Sequence, residues 1–135
     1  LKLNDKQFLN LTPPFCSIDT SAVAILPVPY EGGTSYGKGT AEAPNSVIEA
    51  SHFLELFDEE LKAEPFRMGI TTVFPPELPE DPAEVQKAVH DCCRSLIQTG
   101  KYVVLLGGDH SISVGYFRAL LENHERISVV QLDAH

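Results

Sequence analysis

The sequence predicts an α/β fold, with helices covering a mainly parallel sheet, and three observations carry that prediction. Ala22-Val23-Ala24-Ile25-Leu26 and Tyr102-Val103-Val104-Leu105-Leu106 are continuous apolar runs, the pattern of strands buried on both faces. Amphipathic helical patterns flank the second run. A third apolar run, Ile127-Ser128-Val129-Val130-Gln131-Leu132, completes a strand, helix, strand, helix, strand order. Elements of these lengths in that order call for parallel strands joined by covered crossovers.

In chain order, a polar opening with Pro13-Pro14 leads into the first strand, which Pro27 and Pro29 are expected to end. A glycine-dense loop follows from Tyr30 to Thr40, and Pro44 reads as the first helical position of a segment reaching about Phe53. Leu54 to Phe57 and Met68 to Phe74 are each read as strands. The Pro-rich stretch from Phe74 to Pro82 reads as a surface loop within one domain. Asp81, Pro82 and Glu84 then form a helix start with a capping-box pattern. Val85, Ala88, Val89, Cys92 and Leu96 make its apolar stripe, and Gly100 stops it. The next helix, Ser113 to Asn123, is expected to turn Val114, Phe117, Leu120 and Leu121 inward. Residues 1–135 are thus read as part of a single domain.

Composition narrows the function classes. With 135 residues, 43% of them hydrophobic and 21% charged, the chain is ordinary globular protein. Ten basic against nineteen acidic residues give a formal charge of −9, which argues against nucleic acid or an anionic membrane as partner. No apolar run approaches the ~20 residues of a membrane helix, and the opening residues show no signal peptide. Cys16, Cys92 and Cys93 fit neither a disulfide framework nor a zinc spacing, so a reducing cytoplasm and structural thiols are expected.

The chemistry is concentrated past the carboxyl ends of two strands, where ligands bind in open α/β sheets. Gly107-Gly108-Asp109-His110-Ser111 follows one strand, and Asp133-Ala134-His135 follows the other. Alternation along extended backbone lets Asp133 and His135 reach one side together. The paired glycines let the chain turn sharply to present His110. Imidazole with carboxylate, and without thiolate, suits a divalent first-row cation and leans toward Mn²⁺ over structural Zn²⁺. His110 and Asp133 are therefore expected on adjacent strands with converging side chains. Asp109 either orients a ligand or caps the following helix. His52, His90 and His124 read as surface or capping residues, and Asp58, Glu59 and Glu60 as a solvated turn. The Gly32–Gly39 loop lacks the Gly-Lys-Ser/Thr ending of a phosphate-binding loop, because Gly39 follows Lys38, and is read as lining the mouth of the site.

Leu105-Leu106-Gly107-Gly108-Asp109-His110-Ser111, with Leu132-Asp133-Ala134-His135 placing an Asp 23 positions after His110, closely resembles the ureohydrolase family of arginases and agmatinases. The segment Leu26 to Gly39 with Ala50-Ser51 is more similar to the agmatinase branch, although Ala43 stands where many relatives carry Gly. The resemblance implies a three-layer α-β-α, arginase-like fold. It implies two Mn²⁺ ions in the complete enzyme, with His110 on one, His135 on the other and Asp133 bridging them. It further implies hydrolysis of agmatine to putrescine and urea by a hydroxide shared between the ions, in a cytoplasmic homo-oligomer, a trimer or hexamer, acting in polyamine biosynthesis. Arginine, guanidinobutyrate and formiminoglutamate are the alternative substrates, and a non-catalytic ureohydrolase-like paralogue is the alternative role. A binuclear phosphatase fits worse, since its Asp-x-His normally precedes its Gly-Asp motif. Three protein ligands are too few for two hexacoordinate ions. The resemblance therefore implies the N-terminal half of a longer enzyme, inactive by itself.

Overall fold

In the computed structural model, which describes residues 2–134, the central strand is β1, Val23–Val28. Every residue from Ala24 to Val28 is buried, as its unbroken apolar run requires. It pairs in parallel on one side with β2, Ile70–Thr72, and on the other with β3, Tyr102–Gly107, giving the order β2-β1-β3. Pro27 does not end the strand; it pairs across from Leu106. The Ile25 carbonyl accepts from the Val73 N–H at 3.0 Å, so alternate residues of β1 direct their backbone groups toward β2. The next rung toward β2 would need an N–H on Pro27, which proline lacks, and the pairing of β1 with β2 stops at Ile25 and Thr72.

Between β1 and β2 lies α1, Ala43–Ser51, with Pro44 in its first turn. Between β2 and β3 lies α2, Pro82–Gln98. The Asp81 carboxylate caps α2 by accepting from the N–H groups of Ala83 at 2.8 Å and Glu84 at 3.1 Å. At the other end Gly100 adopts φ +78°, and the N–H groups of Gly100 and Lys101 turn back onto the carbonyls of Ile97 and Leu96. That pair of bonds closes a Schellman motif.

The buried stripe of α2 is Val85, Val89, Cys93 and Leu96, packed over Ala24, Leu26 and Val28 of β1. Cys93 replaces Cys92 in the expected stripe, because i, i+4, i+8 and i+11 stay on one face of a 3.6-residue helix. Burial pushes the Cys93 thiol up to about 12, which makes it a packing group. The other face of β1 turns toward α1, where Pro27 meets Pro44 and Asn45 around a shared cavity. Helices therefore lie on both faces of the sheet, as a three-layer fold demands.

The last helix is α3, Ser113–Leu121. Its buried face is not the expected one. Gly115 and Ala119 go inward, together with Ile112, while Val114 and Leu121 are exposed. A Cβ on Gly115 would stand 2.5 Å from the Gln86 carbonyl, so the absence of a side chain sets the closeness of α2 and α3. Two further expectations fail. Leu54–Phe57 is a bend with exposed Leu54 and Phe57, interrupted by charged Glu55, and has no strand beside it. Residues 127–132 form no strand either; Val130 and Leu132 are 85% and 94% exposed. A strand of this kind needs hydrogen-bonded neighbours and cover on both faces, and among the described residues none flanks it. No helix among the described residues is long and apolar enough to cross a membrane.

Candidate active site

The site is built at the carboxyl end of β3. Gly107 ends the strand, and Gly108 passes so close to the first strand's exit that a Cβ there would stand 2.1 Å from the Tyr30 carbonyl. That approach lets the Asp109 N–H donate to the Tyr30 carbonyl at 2.9 Å. The chain then enters one turn of 3-10 helix, His110–Ile112, capped by Asp109, whose carboxylate accepts from the Ser111 N–H at 2.9 Å and from the Ser111 hydroxyl. Capping is thus one role of Asp109. The other oxygen of the carboxylate accepts from the Gly33 N–H at 2.7 Å, across 76 positions of sequence. Motif spacing contained no sign of that second bond.

His110 rides on this turn with its side chain 70% exposed, and its Nδ1 lies 3.8 Å from Oδ2 of Asp133, whose side chain is 24% exposed. The two residues therefore converge as expected, although Asp133 reaches the site from irregular chain and not from an adjacent strand. The side-chain amide of Gln131 donates to the same Asp133 oxygen at 2.6 Å, a contact that the sequence pattern did not single out. His135 lies outside the described residues. Among the described residues no three His, Cys, Asp or Glu side chains gather as a metal cluster. The donor chemistry at His110 and Asp133, one imidazole nitrogen beside one carboxylate, nevertheless fits a first-row divalent cation.

The glycine-rich loop forms the adjoining wall, as expected. A cavity of about 310 Å³ lies between Thr34, Ser35, Tyr36 and Thr40 on one side and Asp109 and His110 on the other. Glu31 closes the loop from within, accepting from the N–H groups of Gly39 at 2.8 Å and Ala41 at 3.3 Å. Those two backbone donors, with Lys38 nearby, hold its carboxyl below the ordinary carboxylate range. The remaining candidates behave as structural groups. His52 Nε2 lies 3.0 Å from the Gln7 carbonyl, and His90 bridges Asp91 and Glu122.

Comparison with known proteins gives the family and the fold. The arginase-family profile matches residues 21–135, which includes both histidine motifs. The chain belongs to the arginase family. It is 40% identical over 96% of its length to the N(1)-aminopropylagmatine ureohydrolase of Synechocystis sp., and covers 44% of that protein. It is 33% identical over 87% of its length to the N(1)-aminopropylagmatine ureohydrolase of Thermus thermophilus, covering 40% of it. The crystal structure of agmatine ureohydrolase of Thermoplasma volcanium matches 76% of the chain at 27% identity and a TM-score of 0.71, and 35% of that chain is covered. The arginase-family chain therefore spans less than half the length of these relatives. Its sheet and helices are those of the ureohydrolase fold.

Proposed function

We propose that the protein carrying this chain hydrolyses the guanidino group of a linear guanidino amine to urea and the free amine, with N(1)-aminopropylagmatine as the favoured substrate. The observation that carries this reading is 40% identity, sustained over 96% of the chain, to a ureohydrolase of that name. Agmatine, giving putrescine and urea, is the second reading, supported by the lesser likeness to an agmatine ureohydrolase. Both readings share one site and one reaction.

His110 and Asp133, joined by His135, would hold the cations, for which Mn²⁺ fits the mixed nitrogen and oxygen donors. When bound, a pair of such ions supplies Lewis acidity and an activated water, which a guanidinium carbon requires because its positive charge is delocalised. The chain's own residues do the rest. Asp133 brings negative charge to the site, and Gln131 fixes one of its oxygens. The 3-10 turn capped by Asp109 sets the direction from which His110 approaches Asp133. The Thr34–Thr40 wall, free of Arg and with Lys38 drawn toward Glu31, suits a cationic substrate. The reading includes a homo-oligomer as the working assembly.

The test is steady-state urea release by the complete protein with Mn²⁺, using both amines side by side. The expected result is a kcat/KM for N(1)-aminopropylagmatine at least about tenfold above that for agmatine, the discrimination that a pocket recognising one extra segment of substrate readily supplies. The reverse ratio would establish the agmatine reading. No urea from either compound would overturn both.

A further inference from the structure

We propose that Asp109 is a positioning residue for the substrate wall: its carboxylate clamps the Gly32–Gly39 loop to the histidine turn, so that the hydroxyl-bearing side of the loop faces the amine end of the substrate. The inference rests on the ureohydrolase reading for the identity of that substrate, but its structural half stands independently.

Two oxygens of one carboxylate serve two different parts of the fold. One caps the turn that carries His110, through the Ser111 N–H at 2.9 Å, and the other takes the Gly33 N–H at 2.7 Å. A carboxylate accepting backbone N–H groups makes bonds roughly twice as strong as neutral pairs, and here they join segments that the sequence separates widely. The approach is close. A Cβ on Gly33 would lie 3.1 Å from the Asp109 carboxylate, and the Tyr30 carbonyl meets the Asp109 N–H at the loop's entry. Loop entry and loop body are therefore both held by a single residue. Glu31 ties the far end through Gly39 and Ala41. With its ends fixed, the loop holds Thr34, Ser35 and Thr40 along the cavity that also reaches His110. Hydroxyl oxygens accept from an ammonium or guanidinium group without adding positive charge. A wall of this kind acts on binding and orientation, because it lies beside the donor pair and supplies no group to it.

The test compares Asp109→Ala with Ser111→Ala in the complete protein. Ser111→Ala removes only the hydroxyl bond, leaving the Gly33 clamp intact. In the metal-free protein, Asp109→Ala is expected to speed amide exchange at Gly33 about tenfold or more, the scale of one lost charge-assisted bond, with Ser111→Ala near wild type. In the Mn²⁺-loaded enzyme, Asp109→Ala is expected to raise KM about tenfold while kcat changes less than about threefold and metal content is unchanged. Should Asp109→Ala fold poorly, Asp109→Asn keeps the size but offers one acceptor to two amides, and faster exchange at Gly33 or Ser111 is expected. Unchanged exchange at Gly33 would overturn the clamp. Loss of kcat or metal with KM unchanged would overturn the positioning role. If the wild type releases no urea, the ureohydrolase reading fails, while Gly33 exchange still decides the clamp.

Discussion

The Asp109 N–H donates to the Tyr30 carbonyl at 2.9 Å, and this bond exists only because Gly108, between β3 and the histidine turn, carries no side chain. The exits of β1 and β3 are thereby joined directly at the rim of the site. Gly108→Ala would drive a methyl group into backbone atoms on three sides, Tyr30 N, Tyr30 O and Val28 O, none of which can rotate away. The expected cost is about 3 kcal/mol or more, at the upper end of overpacking changes. Denaturant unfolding measures it. A loss below about 1 kcal/mol would show that the two exits can separate freely.

Gly115 plays the corresponding part between helices. Its N–H donates to Oε1 of Gln86 at 3.0 Å, and its missing Cβ admits the Gln86 carbonyl and the Val89 side chain. Gly115→Ala gains helix propensity of about 1 kcal/mol, yet it inserts a methyl into a filled contact. Sterics are expected to win, giving net destabilisation of about 1–2 kcal/mol on thermal unfolding. A more stable variant would mean that α3 is free to move away from α2.

Those two glycines also show where sequence reading stops. The strands β1 and β3 were legible because a doubly buried strand writes itself as unbroken apolar sequence. The ends of α2 were legible because Asp81 and Gly100 act on their own neighbours. The inward face of α3 was not, since counting apolar residues selects Val114 and Leu121 whereas the contact is made by the smallest residue on the helix. At the site, the approach of His110 to Asp133 was legible in the two motifs, although only His110 follows a strand. The Asp109–Gly33 bond was not, because it depends on how β1 and β3 are placed side by side. The strand expected over residues 127–132 failed for a related reason: a strand's pattern is local, but its ladder belongs to its neighbours.

His90, on α2, gives the chain a pH-dependent tie to the end of α3. Its Nδ1 lies 2.9 Å from Asp91 and its Nε2 lies 2.9 Å from Glu122, which also pairs with Arg94 at 3.2 Å. The hydrogen bond to Asp91 is the main cause that raises its pKa above the ordinary 6.5, with Glu122 adding to it and burial opposing. A raised histidine pKa contributes stability that is fully present below the unfolded value and is lost as pH rises through the folded one. Stability relative to His90→Gln should therefore be greatest below about pH 6.5 and fall as pH rises through the raised folded value, and added salt should shrink the effect because both acids reach solvent. The check is the melting temperature of both proteins across that pH range. A difference independent of pH would show that the imidazole is not charged in the fold.

His110 separates metal affinity from folding. Its side chain is 70% exposed and its Nδ1 faces Asp133 at 3.8 Å, so it buries little apolar surface and its replacement leaves no cavity. In the metal-free complete protein, His110→Ala should therefore change stability by no more than about 0.5 kcal/mol, as exposed substitutions do. With Mn²⁺ the outcome should differ. Removing one nitrogen donor from a set of oxygen and nitrogen ligands weakens the site, and wild type gains stability from bound metal by mass action. The upward shift of the melting temperature with rising Mn²⁺ should therefore be large in wild type and small in His110→Ala. Metal analysis after dialysis should show a corresponding deficit. If the variant melts lower than wild type by the same amount with and without metal, His110 is a folding residue and the metal reading of this site fails.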